Sequence, residues 1–160
     1  MKALVIYDSA FGNTEQVAQA MGRALSAQTD VEVVRATDVQ PDQLTGLDVL
    51  IVGSPTQKFQ PLPTVKRLLE GIPAQGLEGV KVAAFDTRIS VEDTNSTILN
   101  IMVKLFGYAA KPIADRLTKK GGTSAMPPEG FFVKDSEGPL KDGELERAAD
   151  WAKQIIAARQ

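Results

Sequence analysis

The feature that most constrains the fold of this chain is a series of five short apolar runs set between helical patterns. The runs are ALVIY (Ala3–Tyr7), VEVVRA (Val31–Ala36), VLIVGS (Val49–Ser54), VKVAAF (Val80–Phe85) and an interrupted last one, TSAMPPEGFFV (Thr123–Val133). The first, third and fourth are almost continuously apolar and rich in β-branched residues, as strands buried on both faces must be. The second alternates, which suits a strand at a sheet edge. Between the runs, apolar residues return at helical spacing. Val17, Met21, Ala24 and Leu25 form one stripe, and Val65, Leu68, Leu69 and Ile72 form another after Pro61 and Pro63. KPIADRLTKKGG ends in a basic turn followed by Gly, a helix stop. Leu145, Ala148, Ala149, Ala152, Ile155 and Ile156 make the last stripe, with Trp151 off it and expected at the helix margin.

Strands alternating with helices imply βαβ units and a parallel sheet covered on both faces. A length of 160 residues without repeat or low-complexity linker fits one domain, residues 1–160. The expectation is an α/β, doubly wound, five-stranded parallel sheet. The segment Ser96–Ala110 fits this least. Ile98, Ile101, Met102 and Leu105 give a helical stripe that Leu99, Val103 and Phe106 widen. We read it as an extra core helix or a helix lengthened at its start; the alternatives are a lid over a ligand, a dimer face or a membrane-touching patch.

The chain has neither Cys nor His, so thiol redox chemistry, zinc sites built on those ligands, His-ligated haem and a Ser-His-Asp triad are excluded. Electron chemistry here would need a non-covalently held organic cofactor. A net charge of −2 points away from nucleic acid. Ala3–Tyr7 is too short for a signal-peptide core or a membrane span, which makes a cytoplasmic location the expectation.

The candidate site begins at YDSAFGNTEQVAQAM (Tyr7–Met21), where the first run meets the first helix. A helix N-terminus offers unpaired N–H groups and a partial positive charge suited to phosphate. Gly12 lacks the Cβ that would block close approach, and Ser9, Asn13 and Thr14 are short donors. The alternative is that Ser9 or Asn13 simply caps the helix. No Gly-Lys-Ser/Thr follows, so this is no P-loop, and a single Gly is no dinucleotide fingerprint. GSPTQKFQPLP (Gly53–Pro63) follows strand three and DTRIS (Asp86–Ser90) follows strand four. Ligands in open α/β sheets bind outside the carboxyl ends of strands, so all three loops reach one place.

With these motifs the whole chain resembles the flavodoxin family, of the short-chain type. SAFGNT (Ser9–Thr14) is similar to the family's Ser/Thr-x-Thr-Gly-x-Thr phosphate loop, with Phe11 replacing the central Thr; an aromatic there is similar to the flavodoxin domains of flavodiiron proteins. GSPT (Gly53–Thr56) resembles the loop that approaches phosphate and ribityl chain, and AAFDTR ends where the second flavin loop begins. Gln57 stands where the family usually has Trp, Asp86-Thr87-Arg88 replaces a Gly-rich turn, and that loop's usual Tyr is missing. A response-regulator receiver shares the topology but needs Asp where Ser54 stands.

The resemblance implies a three-layer sandwich with strand order 2-1-3-4-5 and FMN as cofactor. It implies a phosphate held by Ser9, Ala10, Phe11, Gly12, Asn13 and Thr14, with Thr56 assisting. Ser54, Pro55, Thr56, Gln57, Lys58 and Phe59, then Asp86, Thr87 and Arg88, would border the flavin. Phe59 would supply the aromatic face, and the Pro55–Phe59 backbone would contact the flavin N5. No catalytic or metal-ligating residue is expected. The implied function is a monomeric carrier of single electrons between a reductase and an acceptor, without nucleic acid, and with membrane contact only through Ser96–Ala110. The alternatives are an oxidoreductase acting directly on a quinone or porphyrinogen-type substrate, and a binding module that lost FMN. At least one of Lys58 and Arg88 is expected to face the ring and make its low-potential couple less extreme; otherwise both are solvated.

Overall fold

The computed structural model describes residues 1–90 and 97–159. The apolar runs become the middle of a parallel sheet. β1 (Lys2–Tyr7) lies between β2 (Asp30–Arg35) and β3 (Val49–Pro55), and β4 (Lys81–Ile89) lies beyond β3. β1, β3 and β4 bury successive side chains on both faces, whereas β2 is half-exposed at the edge, as its alternation predicts. The fifth run is broken at Pro127-Pro128, which cannot donate to a ladder. Its first part, β5 (Thr123–Ser124), pairs with Lys81 and Val82, and its second, β6 (Glu129–Val133), pairs with Phe85 to Ile89. The order β2-β1-β3-β4 therefore ends in two short strands sharing the fifth position, which is the expected 2-1-3-4-5 arrangement with a split last strand.

The helices are α1 (Asn13–Leu25), α2 (Pro63–Gly71), α3 (Thr97–Phe106), α4 (Ala110–Lys119) and α5 (Glu144–Arg159). Val17, Met21 and Leu25 of α1 share one core with Ala148, Ala152, Ile155 and Ile156 of α5. Val65 and Leu69 of α2 share the opposite core with Ile113 and Leu117 of α4. Helices α1 and α5 thus cover one sheet face and α2 and α4 the other, giving three layers. Trp151 is not marginal. It packs edge-on against Phe85 and Phe131 at centroid separations of 6.3 and 6.0 Å, in the centre of the first core. A side chain at Gly53 would meet the Phe85 ring at 2.1 Å, so glycine there lets the ring cross β3.

Two further expectations change. Asp86, Thr87 and Arg88 are not in a loop: β4 continues to Ile89, because β6 gives their backbone a partner. Within the Ser96–Ala110 segment, the described side chains of α3 do not enter the core. In α3, Ile98 is 72% exposed, and Ile101 and Met102 also face solvent, while Leu99 and Val103 line a cavity beside the carboxyl edge of the sheet. Ser96 and the side chains of Leu105 and Phe106 lie outside the described residues.

Candidate functional site

The carboxyl ends of β1, β3, β4 and β6 meet at one edge of the sheet, and the first loop closes over it. Tyr7 is followed by Asp8, whose Oδ1 accepts from the Ser9 amide at 2.8 Å, and Ser9 Oγ accepts from the Gly12 amide at 3.0 Å. Gly12, at φ 91°, reverses the chain into α1, and a Cβ there would meet no atom within 4 Å. No side chain caps α1. Neither Ser9 nor Asn13 does so: Ser9 Oγ stops at Gly12, and Asn13 Nδ2 donates to the Glu137 carbonyl at 3.1 Å. The first amide bonded back within the helix is that of Gln16, to Gly12 O at 3.1 Å. The amides ahead of it carry the partial positive charge of the helix end.

Asn13 and Thr14 of this helix start border a cavity of ≈ 210 Å³. Its walls are Ser9, Ala10, Phe11, Asn13 and Thr14 of the first loop, Pro55, Thr56 and Gln57 after β3, and Thr87, Arg88 and Ile89 of β4. Val133 and Ser136 complete it. Three threonines are linked along this wall by hydroxyl and backbone bonds. Thr14 Oγ1 and Thr87 Oγ1 lie 2.8 Å apart, both buried; Thr56 donates its amide to Thr87 O at 3.0 Å and accepts the Ala109 amide on Oγ1 at 3.0 Å. Each hydroxyl has one hydrogen, so a shared pair leaves one donor to offer.

A second cavity of ≈ 190 Å³ adjoins the first at Thr56, Arg88 and Ile89. Lys58, Phe59, Leu99, Val103 and Tyr108 line the rest. Lys58 and Phe59 form the tip of a tight turn at φ 50° and 65°, closed by amide-to-carbonyl bonds between Gln57 and Gln60 in both directions at 2.9 and 3.0 Å. Two non-glycine residues in the left-handed region cost on the order of 1 kcal/mol each, a strain that gathers at binding loops. Ser54 is fully buried and does not reach either cavity: its Oγ accepts the Leu62 amide at 2.9 Å and bonds the Pro55 carbonyl at 2.9 Å, fixing the base of this loop.

Asp86 also turns away from the cavities. It is 0% exposed; its oxygens accept Arg88 Nε and Nη2 at 2.6 and 2.7 Å, and Oδ2 accepts the Ala110 amide at 2.9 Å. Burial pushes its pKa up, against the pull of Arg88. The Arg88 guanidinium lies 3.7 Å from the Tyr108 ring centroid and against Gly130, where a Cβ would meet Nε at 2.2 Å. Its side chain is 18% exposed, so it is not a solvated surface cation.

Sequence reasoning missed several residues that the fold brings here. Tyr108 supplies a ring on the second cavity from a different chain position than the absent loop Tyr; Leu99 and Val103 come from the segment read as core. Asp8 and Thr64, hydrogen-bonded to each other, and Arg35 brace the first loop. Arg35 Nη1 reaches Asp8 Oδ1 and Nη2 reaches Glu15 Oε2, both at 2.7 Å. Burial works against its charge, yet the bonds to Asp8 and Glu15 raise its pKa. The readable signal was its register: Arg35 ends β2 opposite Tyr7, at the edge where the loop begins.

Known proteins repeat this architecture. Oxidised flavodoxin 1 from Bacillus cereus is 17% identical over 98% of each chain, with a TM-score of 0.77. A flavodoxin from the domain Archaea is 24% identical over the whole of both chains, at 0.72. Rubredoxin oxygen:oxidoreductase from Desulfovibrio gigas is 22% identical over 99% of this chain but 36% of its own, at 0.75. A family model described as Flavodoxin matches residues 5–151. The chain therefore belongs to the flavodoxin family of FMN-binding electron carriers.

Proposed function

We propose that this protein shuttles single electrons between a reductase and an acceptor protein, as a monomer, with FMN held where the two cavities meet. The observation that carries this reading is the uncapped start of α1 facing a cavity walled by Thr14, Thr56 and Thr87. Backbone amides and neutral hydroxyls suit a phosphate, and the adjoining cavity with Phe59, Tyr108, Leu99 and Val103 suits a flat apolar ring. Bound FMN supplies two one-electron steps. The chain's part is to grip the phosphate at residues 9–14, to present the strained backbone of Gln57, Lys58 and Phe59 to the ring edge, and to exclude water with α3. Ser54 and Asp86 serve by holding these loops rather than by touching the cofactor.

The test is spectroelectrochemistry of the FMN-loaded protein. Two resolved one-electron potentials, together with negligible direct turnover of NAD(P)H with a quinone, are expected. Rapid quinone or porphyrinogen turnover would instead favour the catalytic alternative, for which the apolar wall of Leu99 and Val103 would be the substrate contact. Absence of FMN binding would overturn both.

A further inference from the structure

Two carboxylates flank the turn where a dianionic phosphate is to sit, although neither lines the cavity itself. Asp8 begins the loop, Glu15 lies in the first turn of α1, and no Lys or Arg occurs from Asp8 to Gly22. Left alone, both acids would repel the phosphate. The cation that meets them comes from another strand. Arg35 Nη1 bonds Asp8 Oδ1 at 2.7 Å and the Ser9 carbonyl at 3.3 Å, and Nη2 bonds Glu15 Oε2 at 2.7 Å. Its guanidinium carbon sits 5.2 Å from the Tyr7 ring centroid, and Tyr7 Oη donates to the same Glu15 oxygen at 3.0 Å. Asp8 Oδ2 also accepts the Thr64 hydroxyl, tying the loop to α2.

We propose that Arg35 is a positioning and charge-masking residue that sets the preference of this site for the phosphorylated flavin. It fixes the loop through Ser9 and Asp8, and it draws the Glu15 carboxylate sideways toward β2. The inference rests on the phosphate being seated at residues 9–14. An Arg35 that served overall folding alone would affect any flavin equally; one that positions this loop and masks its carboxylates acts chiefly on the phosphate, and the masking is isolated by the response to Glu15→Gln.

The test is titration of FMN-free protein with FMN and, separately, with riboflavin, followed by flavin fluorescence. Wild type is expected to prefer FMN; equal affinities would refute the phosphate seat itself, independently of Arg35. Given that preference, Arg35→Gln is expected to weaken FMN about fivefold and riboflavin less than about twofold, the size of a partly exposed charge contact. Glu15→Gln is expected to tighten FMN by about threefold, and Glu15→Gln with Arg35→Gln to recover part of the loss. The idea fails if Arg35→Gln weakens both flavins alike, or leaves the FMN preference intact. Should Arg35→Gln not fold, Glu15→Gln decides alone: unchanged or weaker FMN binding refutes the masking role.

Discussion

Replacing Arg88 by Met removes the guanidinium that holds a fully buried carboxylate. Among the described residues Asp86 would keep the Ala110 amide at 2.9 Å, having lost contacts of 2.6 and 2.7 Å. Leaving one partner of a buried ion pair uncompensated costs about 3–5 kcal/mol. For a domain of 160 residues that is a large part of a stability of roughly 5–15 kcal/mol, and corresponds to a fall in Tm on the order of 10 °C. Asp86→Asn with Arg88→Met removes the orphan charge while an amide oxygen can still accept from Ala110. The double variant is therefore expected to be more stable than Arg88→Met by about 2 kcal/mol.

The deficit also has a pH signature. Burial already raises the Asp86 pKa, and losing Arg88 raises it further, because Arg88 is the largest influence lowering it. A carboxyl whose folded pKa exceeds its unfolded one binds its proton more tightly when folded, so stability increases as pH falls through the folded value. Urea denaturation of FMN-free protein should show the Arg88→Met deficit largest near pH 7.5 and smaller near pH 5. A loss under about 1 kcal/mol, a deficit that grows on acidification, or a double variant no better than the single would refute this account.

Glu144 titrates with the opposite sign. Burial alone would raise its pKa, but the Arg147 guanidinium and the Phe132 amide bonded to its oxygens hold it below the usual range. Its stabilisation is present above about pH 4.3 and is lost as pH falls through the depressed folded value, so Glu144→Gln should cost about 1–3 kcal/mol at pH 7 and progressively less as pH falls below about 4.3 in thermal melts. Ile98→Ser, on the solvent side of α3, should leave the urea midpoint nearly unchanged, within about 0.5 kcal/mol, whereas Phe131→Ala in the core should cost about 3–5 kcal/mol.

The sheet and its four covering helices were legible because burial on two faces forces continuous apolar runs, and burial on one face forces helical stripes. That the first loop borders a cavity was legible too, because a strand of an open α/β sheet delivers the loop after it to the carboxyl edge. What escaped was decided by tertiary partners. Asp86 reads as a loop acid until β6 extends β4 past it and Arg88 folds back over it. α3 carries apolar residues on two faces, but one meets the cavity and the other solvent, so its hydrophobicity marks a wall and not a core. Trp151 lies off the α5 stripe, yet a large ring reaches into the core from the flank of a helix to meet Phe85 and Phe131.

The same pairing changes which cation can tune the cofactor. A lone charge ~6 Å from the ring would be worth roughly 3 kcal/mol at an effective dielectric near 20, on the order of 0.1 V for one electron. Arg88 does not act as a lone charge, because Asp86 sits within 2.7 Å of two of its nitrogens; for a cation at ~6 Å and a carboxylate at ~10 Å the net effect would fall to about 40% of that of the cation alone. Lys58 is exposed at the tip of the strained turn on the wall of the second cavity. Lys58→Met should therefore lower the second one-electron potential of the FMN-loaded protein by more than Asp86→Asn with Arg88→Met does, with solvent and salt reducing the shift to tens of millivolts. Potentiometry at low and high salt separates the two: a larger shift in the double variant, or none from Lys58→Met at low salt, would mean that the turn's charge does not reach the ring.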